Sequence, residues 1–404
     1  MALVVQKYGG TSVGNPDRIK NVAKRVAKTY DEGNDLIVVV SAMSGETNRL
    51  VTLANEISEF PSGREYDMLV ATGEQVVIGL LTMCLSSMGY RAKSYLGWQV
   101  PIFTDGTATK ARIERIDDTK IRTDLNQRTI VIVAGFQGID ASGNITTLGR
   151  GGSDTSAVAL AAALKADVCE IYTDVDGVYT TDPNVCKEAR KMERISYDEM
   201  LELASLGAKV LQIRSVEFAK KYNVDVHVRS SLNENSGTMV TKESNDMEAI
   251  LVSGVAYDKN EAKIAVMGVP DKPGIAAKIL SALSEATISV DMIVQNVSQA
   301  GLTDFTFTVT KSDLKQALLI TREIAAEIHA KEVLFDENIS KVSIVGLGMR
   351  SHAGVAATMF AVLADANINI QMISTSEIKI SVVIDEKYTE LAVRVLHEAF
   401  GLQG

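Results

Sequence analysis

At 404 residues, 46% of them hydrophobic and 23% charged, the chain is long enough for two or three domains and can bury a sizeable core without disulfides or metals. Its net charge of −10, from 41 Lys and Arg against 51 Asp and Glu, argues against a nucleic-acid-binding surface, which needs clustered cations. Cys84, Cys169 and Cys186 make no CxxC pair and no even framework, which points to free thiols in a reducing, cytoplasmic compartment, and only four histidines are available for catalysis.

The opening MALVVQKYGG is too short an apolar run for a signal peptide. Leu3 to Gln6 reads as a buried strand, as do Leu36 to Ser41, Thr129 to Ala134 and Val168 to Thr173. Pro16 to Tyr30 reads as a helix capped by Asn15, and Asp67 to Met88 and Ser153 to Lys165 carry helical periodicity. The most apolar stretch, Val76 to Leu85, is too short to cross a bilayer. Strands alternating with helices predict an α/β fold on a mostly parallel, helix-sandwiched sheet. Turn residues Gly138 and Asp140 to Gly143 place a hairpin around Gln137 to Leu148. Tyr197 to Ala208 reads as a helix, and Val224 to Arg229 as a further strand.

A polar boundary at Ser236 to Asp246 closes this first part, residues 1–245. Beyond it the chain repeats itself at a constant shift of 80 residues. Gly274 matches Gly354, Gly268 matches Gly348, Ile288 matches Ile368, and Met292-Ile293 matches Met372-Ile373. Each copy reads strand, glycine turn, helix, strand, strand, helix. In the first these are Lys263 to Val269, Ile275 to Ala286, Ile288 to Gln295, Asp304 to Thr310 and Leu314 to Ala330, with a last strand at Glu332 to Phe335. The second copy ends on the helix Thr389 to Ala399 and lacks its final strand. The strand read at Ala249 to Ala256 would complete it, which divides the tail into a module of residues 263–337 inserted within one of residues 247–257 plus 340–404.

Three clusters carry chemistry. Lys7-Tyr8-Gly9-Gly10-Thr11-Ser12 joins a strand to a helix, where amides converge and the helix dipole favours an anion. Alone, it reads rather as a tight turn beside a solvated lysine, and Asn15 stands where a P-loop requires Lys. Gly149-Arg150-Gly151-Gly152-Ser153-Asp154 opens a second helix and offers a guanidinium fork to a carboxylate or phosphate, although Asp154 alone is as readily a cap. Thr173 to Pro183, TDVDGVYTTDP, combines acids and Tyr179 after a strand, as suits a nucleotide; alone it is also an acidic surface turn. It is not an EF-hand loop, since Cys186 or Lys187 stands where the glutamate is needed.

Together these resemble the aspartate kinases of the amino-acid kinase superfamily, over essentially the whole chain. The motifs are KYGGTS, VVVSAMSGETN (Val38 to Asn48), Gly73-Glu74, GRGGSD, TDVDGVYTTDP and GAKVL (Gly207 to Leu211). The tandem tail resembles two ACT modules, ferredoxin-like βαββαβ sensors of small molecules. The resemblance implies phosphorylation of the side-chain carboxylate of L-aspartate by MgATP, giving 4-phospho-L-aspartate and ADP on the way to lysine, threonine, methionine and isoleucine. An ionised carboxylate nucleophile needs no general base, so a histidine-poor chain suffices. Glutamate as acceptor, or a non-catalytic sensor, are the competing readings.

By motif, the resemblance makes Lys7, Arg150 and Asp154 catalytic. Thr47, Glu74, Arg150, Gly151, Gly152 and Ser153 form its acceptor pocket, Glu74 facing the substrate's ammonium. Its nucleotide site uses Lys7, Tyr8, Gly9, Gly10, Ser41, Thr173, Asp174, Tyr179, Asp182, Lys209 and Val210. Asn184 stands where the family has a basic residue. Mg²⁺ is expected on phosphate oxygens and water, with no protein ligand assigned. Lysine, threonine or both are expected as feedback effectors. Their site would use Asp271, Gly274, Ile275, Ala276, Asp291 and Gln295 of the first module and Val355, Ala356, Asn369, Ile370, Ser376 and Glu377 of the second. Modules of this kind pair edge to edge, which implies a homo-oligomer and leaves room for a separate regulatory subunit started at Met247, with no nucleic-acid or membrane partner.

Overall fold

The computed structural model describes residues 2–59, 61–206, 210–243, 251–296, 301–350 and 354–403. By internal contacts the chain forms two compact units. The first is Met1–Tyr179 with Lys191–Ser205 and Lys209–Asn245; the second is Thr180–Arg190 with Leu206–Ala208 and Asp246–Gly404.

The first unit begins with β1 (Leu3–Tyr8), α1 (Pro16–Asp31) and β2 (Asp35–Val40). Asn15 caps α1, its Oδ1 accepting from the Arg18 amide at 2.9 Å. Then come α2 (Glu46–Ile57), α3 (Arg64–Val70), α4 (Thr72–Ser87), β3 (Ala92–Tyr95), β4 (Ile102–Thr104), β5 (Ile113–Ile116), α5 (Thr119–Asn126) and β6 (Ile130–Ala134). The hairpin β7 (Gln137–Ile139) and β8 (Ile145–Thr147) leads into α6 (Gly152–Leu164) and β9 (Val168–Thr173). β10 (Arg194–Ser196), α7 (Tyr197–Ser205), α8 (Ile213–Tyr222), β11 (Val226–Ser230) and β12 (Thr238–Thr241) complete it.

Eight strands form one sheet in the order β10-β12-β11-β9-β1-β2-β6-β3, parallel except where β12 runs against β11. The hairpin leaves this sheet and joins β5-β4-β7-β8, a second small sheet. Alternation along β1 sends Val4 and Tyr8 into the core under α1 and α4, and Lys7 to the opposite face, where α6 packs. Asp67 to Met88 is not one helix. It breaks at Ala71, which ends α3 and caps α4 and whose carbonyl accepts from Gln137 Nε2 at 3.1 Å. Arg64–Ser87 as a whole has the length and hydropathy (1.7) for a bilayer, but Val77, Ile78, Leu81 and Leu85 belong to the core cluster with β1, β2 and β6.

In the second unit, β14 (Glu261–Pro270), α9 (Ile275–Glu285), β15 (Ile293–Gln295), β16 (Leu302–Thr310), α10 (Leu314–Glu327) and β17 (Glu332–Asp336) follow β13 (Gly254–Asp258). They give an antiparallel sheet β15-β16-β14-β17 with both helices packed on its core. Next are β18 (Ile339–Val345), α11 (Val355–Asp365), β19 (Met372–Thr375), β20 (Lys379–Asp385) and α12 (Thr389–Ala399). Their sheet is β13-β18-β20-β19, so the strand that precedes the first repeat pairs with β18 of the second. That strand starts at Gly254, later than Ala249; residues 249 and 250 lie outside the described residues. The strand read at Ile288 to Gln295 is only Ile293–Gln295, and the helix read to Ala330 ends at Glu327.

The two repeats meet through equivalent positions. Lys341, 3% exposed, is bonded to Glu261 at 3.0 Å and also to Asp291, and Glu261 and Lys341 are 80 residues apart, the repeat shift itself. Met292 and Met372, another equivalent pair, share a small core with Ile339 and Val383. Like positions touching is the signature of a two-fold relation, here internal to one chain.

Candidate active site

The end of β1 and the turn after it are the first wall. Lys7 Nζ lies 2.6 Å from Asp154 Oδ1 of α6, and both residues are buried, at 8% exposure each. A buried cation with one carboxylate partner keeps further donor capacity for an anion. The Gly9 amide does not add to that capacity: it donates to Tyr172 O at 3.2 Å, joining β1 to β9. Gly10 is required by close approach, because a Cβ there would sit 2.8 Å from Ala42 O. Tyr8 points away, stacked on Tyr172 at 4.7 Å between ring centroids.

The second wall is the end of β2 and the start of α4. The Ala42 amide donates to Glu74 Oε1 at 3.0 Å, while Glu74 Oε2 is buried without a partner. Burial raises the Glu74 pKa to about 7, with the Ala42 amide pulling the other way. Such a carboxylate is an opening for a cationic group. Ser41 is half-buried, its amide donating to Tyr8 O at 3.1 Å. Thr47 is no cap: Gly45, in the left-handed region, caps α2 and Thr47 lies in its first turn.

The glycine loop before α6 is the third wall. Ser153 and Asp154 are buried, and Ser153 Oγ would be 2.8 Å from a Cβ on Gly135, so β6 and α6 touch here. Gly151, at φ 72°, caps α6 and leads into Gly152. Arg150 is exposed, its carbonyl accepting from Gln212 Nε2 at 2.6 Å. The structure thus gathers Lys7, Gly10, Ser41, Glu74, Ser153 and Asp154 at the carboxyl ends of β1, β2 and β6, where open parallel sheets place ligands.

The nucleotide residues are more scattered. Thr173 Oγ1 donates to Asp174 Oδ1 at 3.1 Å at the end of β9, with Asp174 exposed. The Tyr179 hydroxyl donates to Asp176 Oδ1 at 2.7 Å, so it is tied within its own loop. Asp182 falls in the second unit, accepting from the Asn184 amide at 2.8 Å and the Tyr257 hydroxyl at 3.0 Å. Val210 is half-buried, and Lys209 lies outside the described residues.

In the second unit, Gly274 and Gly354 cap α9 and α11 at φ 92° and 107°, with Ile275, Ala276, Val355 and Ala356 in the first helical turns. Asp271, Gln295, Asn369, Ser376 and Glu377 are exposed, and Ile370 is half-buried. Asp291 is exposed as well, and its carboxylate is paired with Lys341. Ser351 to Ala353, the rest of the second turn, lies outside the described residues.

The sequence reading missed the network behind β1. Glu170, 8% exposed, accepts from Gln6 Nε2 at 2.8 Å, the Tyr172 hydroxyl at 3.1 Å and Arg229 Nη1 at 2.9 Å. A carboxylate inside an apolar strand was the available signal.

Residues 2–230 match the amino acid kinase family, and residues 263–327 and 342–400 each match an ACT domain. The aspartokinase of Pseudomonas aeruginosa is 62% identical over 404 residues, covering 100% of this chain and 98% of the relative. The chain belongs to the aspartokinase family. Escherichia coli aspartokinase III, solved in complex with aspartate and ADP in its R-state, is 27% identical with a TM-score of 0.81, covering 98% of this chain and 99% of that one. The same enzyme in complex with lysine and aspartate, in its T-state, is 26% identical with a TM-score of 0.78 over 98% of this chain and 99% of its own. An aspartokinase is an ATP-dependent phosphotransferase with a carboxyl acceptor, and two ACT domains follow the kinase domain here.

Proposed function

We propose that residues 1–245 transfer the γ-phosphoryl group of MgATP to the side-chain carboxylate of L-aspartate, giving 4-phospho-L-aspartate and ADP. A carboxylate oxygen attacks the γ-phosphorus. The bond to the β,γ-bridging oxygen breaks, and its electron pair leaves with ADP. No proton moves, since the acceptor is already ionised at neutral pH. Two anions must meet, so offsetting their charge is the main task. Lys7, held by Asp154, carries that role at the transferring group, and Arg150 grips the acceptor's α-carboxylate. Glu74 receives its ammonium, with Thr47 and Ser153 completing the pocket.

The observation that carries the reading is the partnerless Oε2 of Glu74, buried beside the turn that holds Lys7. An amino-acid ammonium satisfies it with a charge-assisted hydrogen bond, which an acceptor lacking that group would not. Thr173, Asp174, Tyr179, Lys209 and Val210 are assigned to the nucleotide. Mg²⁺ would neutralise the phosphates, held through phosphate oxygens and water, and Asp154 fits such a shell.

The modules at 263–337 and at 247–257 plus 340–404 are assigned to feedback by lysine, threonine or both. The lysine complex of the Escherichia coli enzyme supports this. Asp271, Asp291, Gln295, Asn369 and the glycine turns remain the proposed contacts, Asp291 being also a partner of Lys341. ADP release with aspartate, with and without lysine and threonine, tests both halves. Aspartate-dependent release suppressed by either amino acid is expected; release that neither amino acid changes would remove the regulatory half.

A further inference from the structure

The loop that carries Arg150 is closed by a backbone bond from the Gly152 amide to Gly149 O at 2.9 Å, but its glycines make it pliant. Gly149 and Gly151 both sit at positive φ, 78° and 72°, and glycine spreads over many conformations when unrestrained. Arg150 itself is exposed, and a guanidinium useful for orienting a carboxylate must be held within about half an ångström.

Further restraint comes from side chains outside every motif named so far. Arg214, at the start of α8, donates from Nη1 to Leu148 O at 2.5 Å and from Nη2 to Ala111 O at 2.9 Å. Gln212, the cap of the same helix, donates to Arg150 O at 2.6 Å, and Gly151 leaves room for it, since a Cβ there would lie 2.5 Å from Gln212 Cγ. Asp67, fully buried on α3, closes the other end. Its oxygens accept from the Thr147 amide at 3.0 Å, the Thr147 hydroxyl at 2.7 Å and the Thr109 amide at 3.0 Å. The carbonyls that precede Gly149 and Gly151 are therefore held by the start of α8, and the strand feeding them by α3.

We propose that Arg214 is a positioning residue for the acceptor: through the Leu148 carbonyl, and together with Gln212 and Asp67, it sets where the Arg150 guanidinium stands. The inference rests on Arg150 binding the acceptor. Charge-assisted bonds to a carbonyl are the stronger kind, and a planar fork spanning two carbonyls is a task for arginine that lysine performs only in part. Arg214 carries no charge to the acceptor; it acts by orienting a group that does.

The test is steady-state kinetics of wild type, Arg214→Gln, Arg214→Lys and Gln212→Ala, varying aspartate and MgATP separately, with hydrogen exchange of the peptide spanning Leu148 to Asp154. Arg214→Gln is expected to raise the aspartate KM roughly tenfold, with the ATP KM changed less than about twofold and faster exchange in that peptide. Arg214→Lys should fall between, and Gln212→Ala, which removes the bond to Arg150 O and the cap bond from the Ile213 amide, should show the same split in milder form. Equal rises in both KM values, or faster exchange with an unchanged aspartate KM, would overturn the positioning role. If Arg214→Gln does not fold, the Arg214→Lys and Gln212→Ala splits decide it. Wild-type turnover with a different acceptor would overturn the substrate reading instead, and the split would then be read on that acceptor.

Discussion

Strand, glycine turn and helix recur in the kinase unit and in both tandem repeats, yet the glycines do different work. In the first unit Gly10 has no room for a side chain, because a Cβ would press on Ala42 O at 2.8 Å. In the second, Gly274 and Gly354 have nothing within 4 Å of a Cβ and are needed only for φ values of 92° and 107°. Polar side chains show the same contrast, the exposed Arg150 excepted. Lys7, Asp154 and Glu74 are buried, while Asp271, Gln295 and Asn369 are exposed. A transfer site must fix charges before substrate arrives, whereas a sensor turn is free to wait in water for its ligand.

The largest expected effect breaks the buried side of that contrast. Lys7→Met should lower kcat by roughly 10²–10³ and, by leaving Asp154 buried alone, cost about 3 kcal/mol of stability. Adding Asp154→Asn should return most of the stability, read by thermal melting, and none of the rate. A single variant that keeps full kcat would remove Lys7 from the chemistry.

Glycine replacements sharpen the comparison. Gly10→Ala forces backbone apart and should cost about 1–3 kcal/mol together with most of the activity. Gly274→Ala only strains φ and should cost about 1 kcal/mol, leaving uninhibited rates as they were. Similar activity losses in both would mean that the two kinds of turn are not distinct.

The smallest effect concerns protons. Glu74 has its pKa raised from 4.5 to about 7 by burial, so its ionisation opposes folding: the penalty is absent below 4.5, grows with pH, and is complete above 7. A bound ammonium lowers that pKa, so acceptor affinity should rise with pH through the same range. The aspartate KM should fall by up to about tenfold from pH 6 to pH 8, and Glu74→Gln should flatten the profile. A slope unchanged by that substitution would mean that another group titrates.

Much of this was legible because local patterns carry it. Val168–Thr173 and Thr389–Ala399 have the residue bounds their periodicity gives, and the 80-residue shift that reveals the repeats also names Glu261 and Lys341 as equivalents. What stayed hidden depends on distant partners. Asp182 reads as a nucleotide contact within TDVDGVYTTDP, but Tyr257 claims it, 75 residues away. Its neighbour Thr180 bonds the buried His397 at 2.9 Å across 217 residues. Asp67, Glu170 and Arg214 are charges inside apolar or helical stretches, whose partners only the folded sheet brings near. Helix α2 opens at Gly45 in the left-handed region rather than at a Ser or Thr cap, so it lacks the usual start signal.

The central claim is that a carboxylate of aspartate becomes an acyl phosphate, and hydroxylamine traps such a mixed anhydride as a hydroxamate. The purified chain should be incubated with MgATP, hydroxylamine, and either L-aspartate or L-glutamate, with ADP and hydroxamate both counted. Aspartyl hydroxamate equal to the ADP released, and none from glutamate, is the predicted result. ADP without hydroxamate, or hydroxamate from glutamate alone, would contradict it.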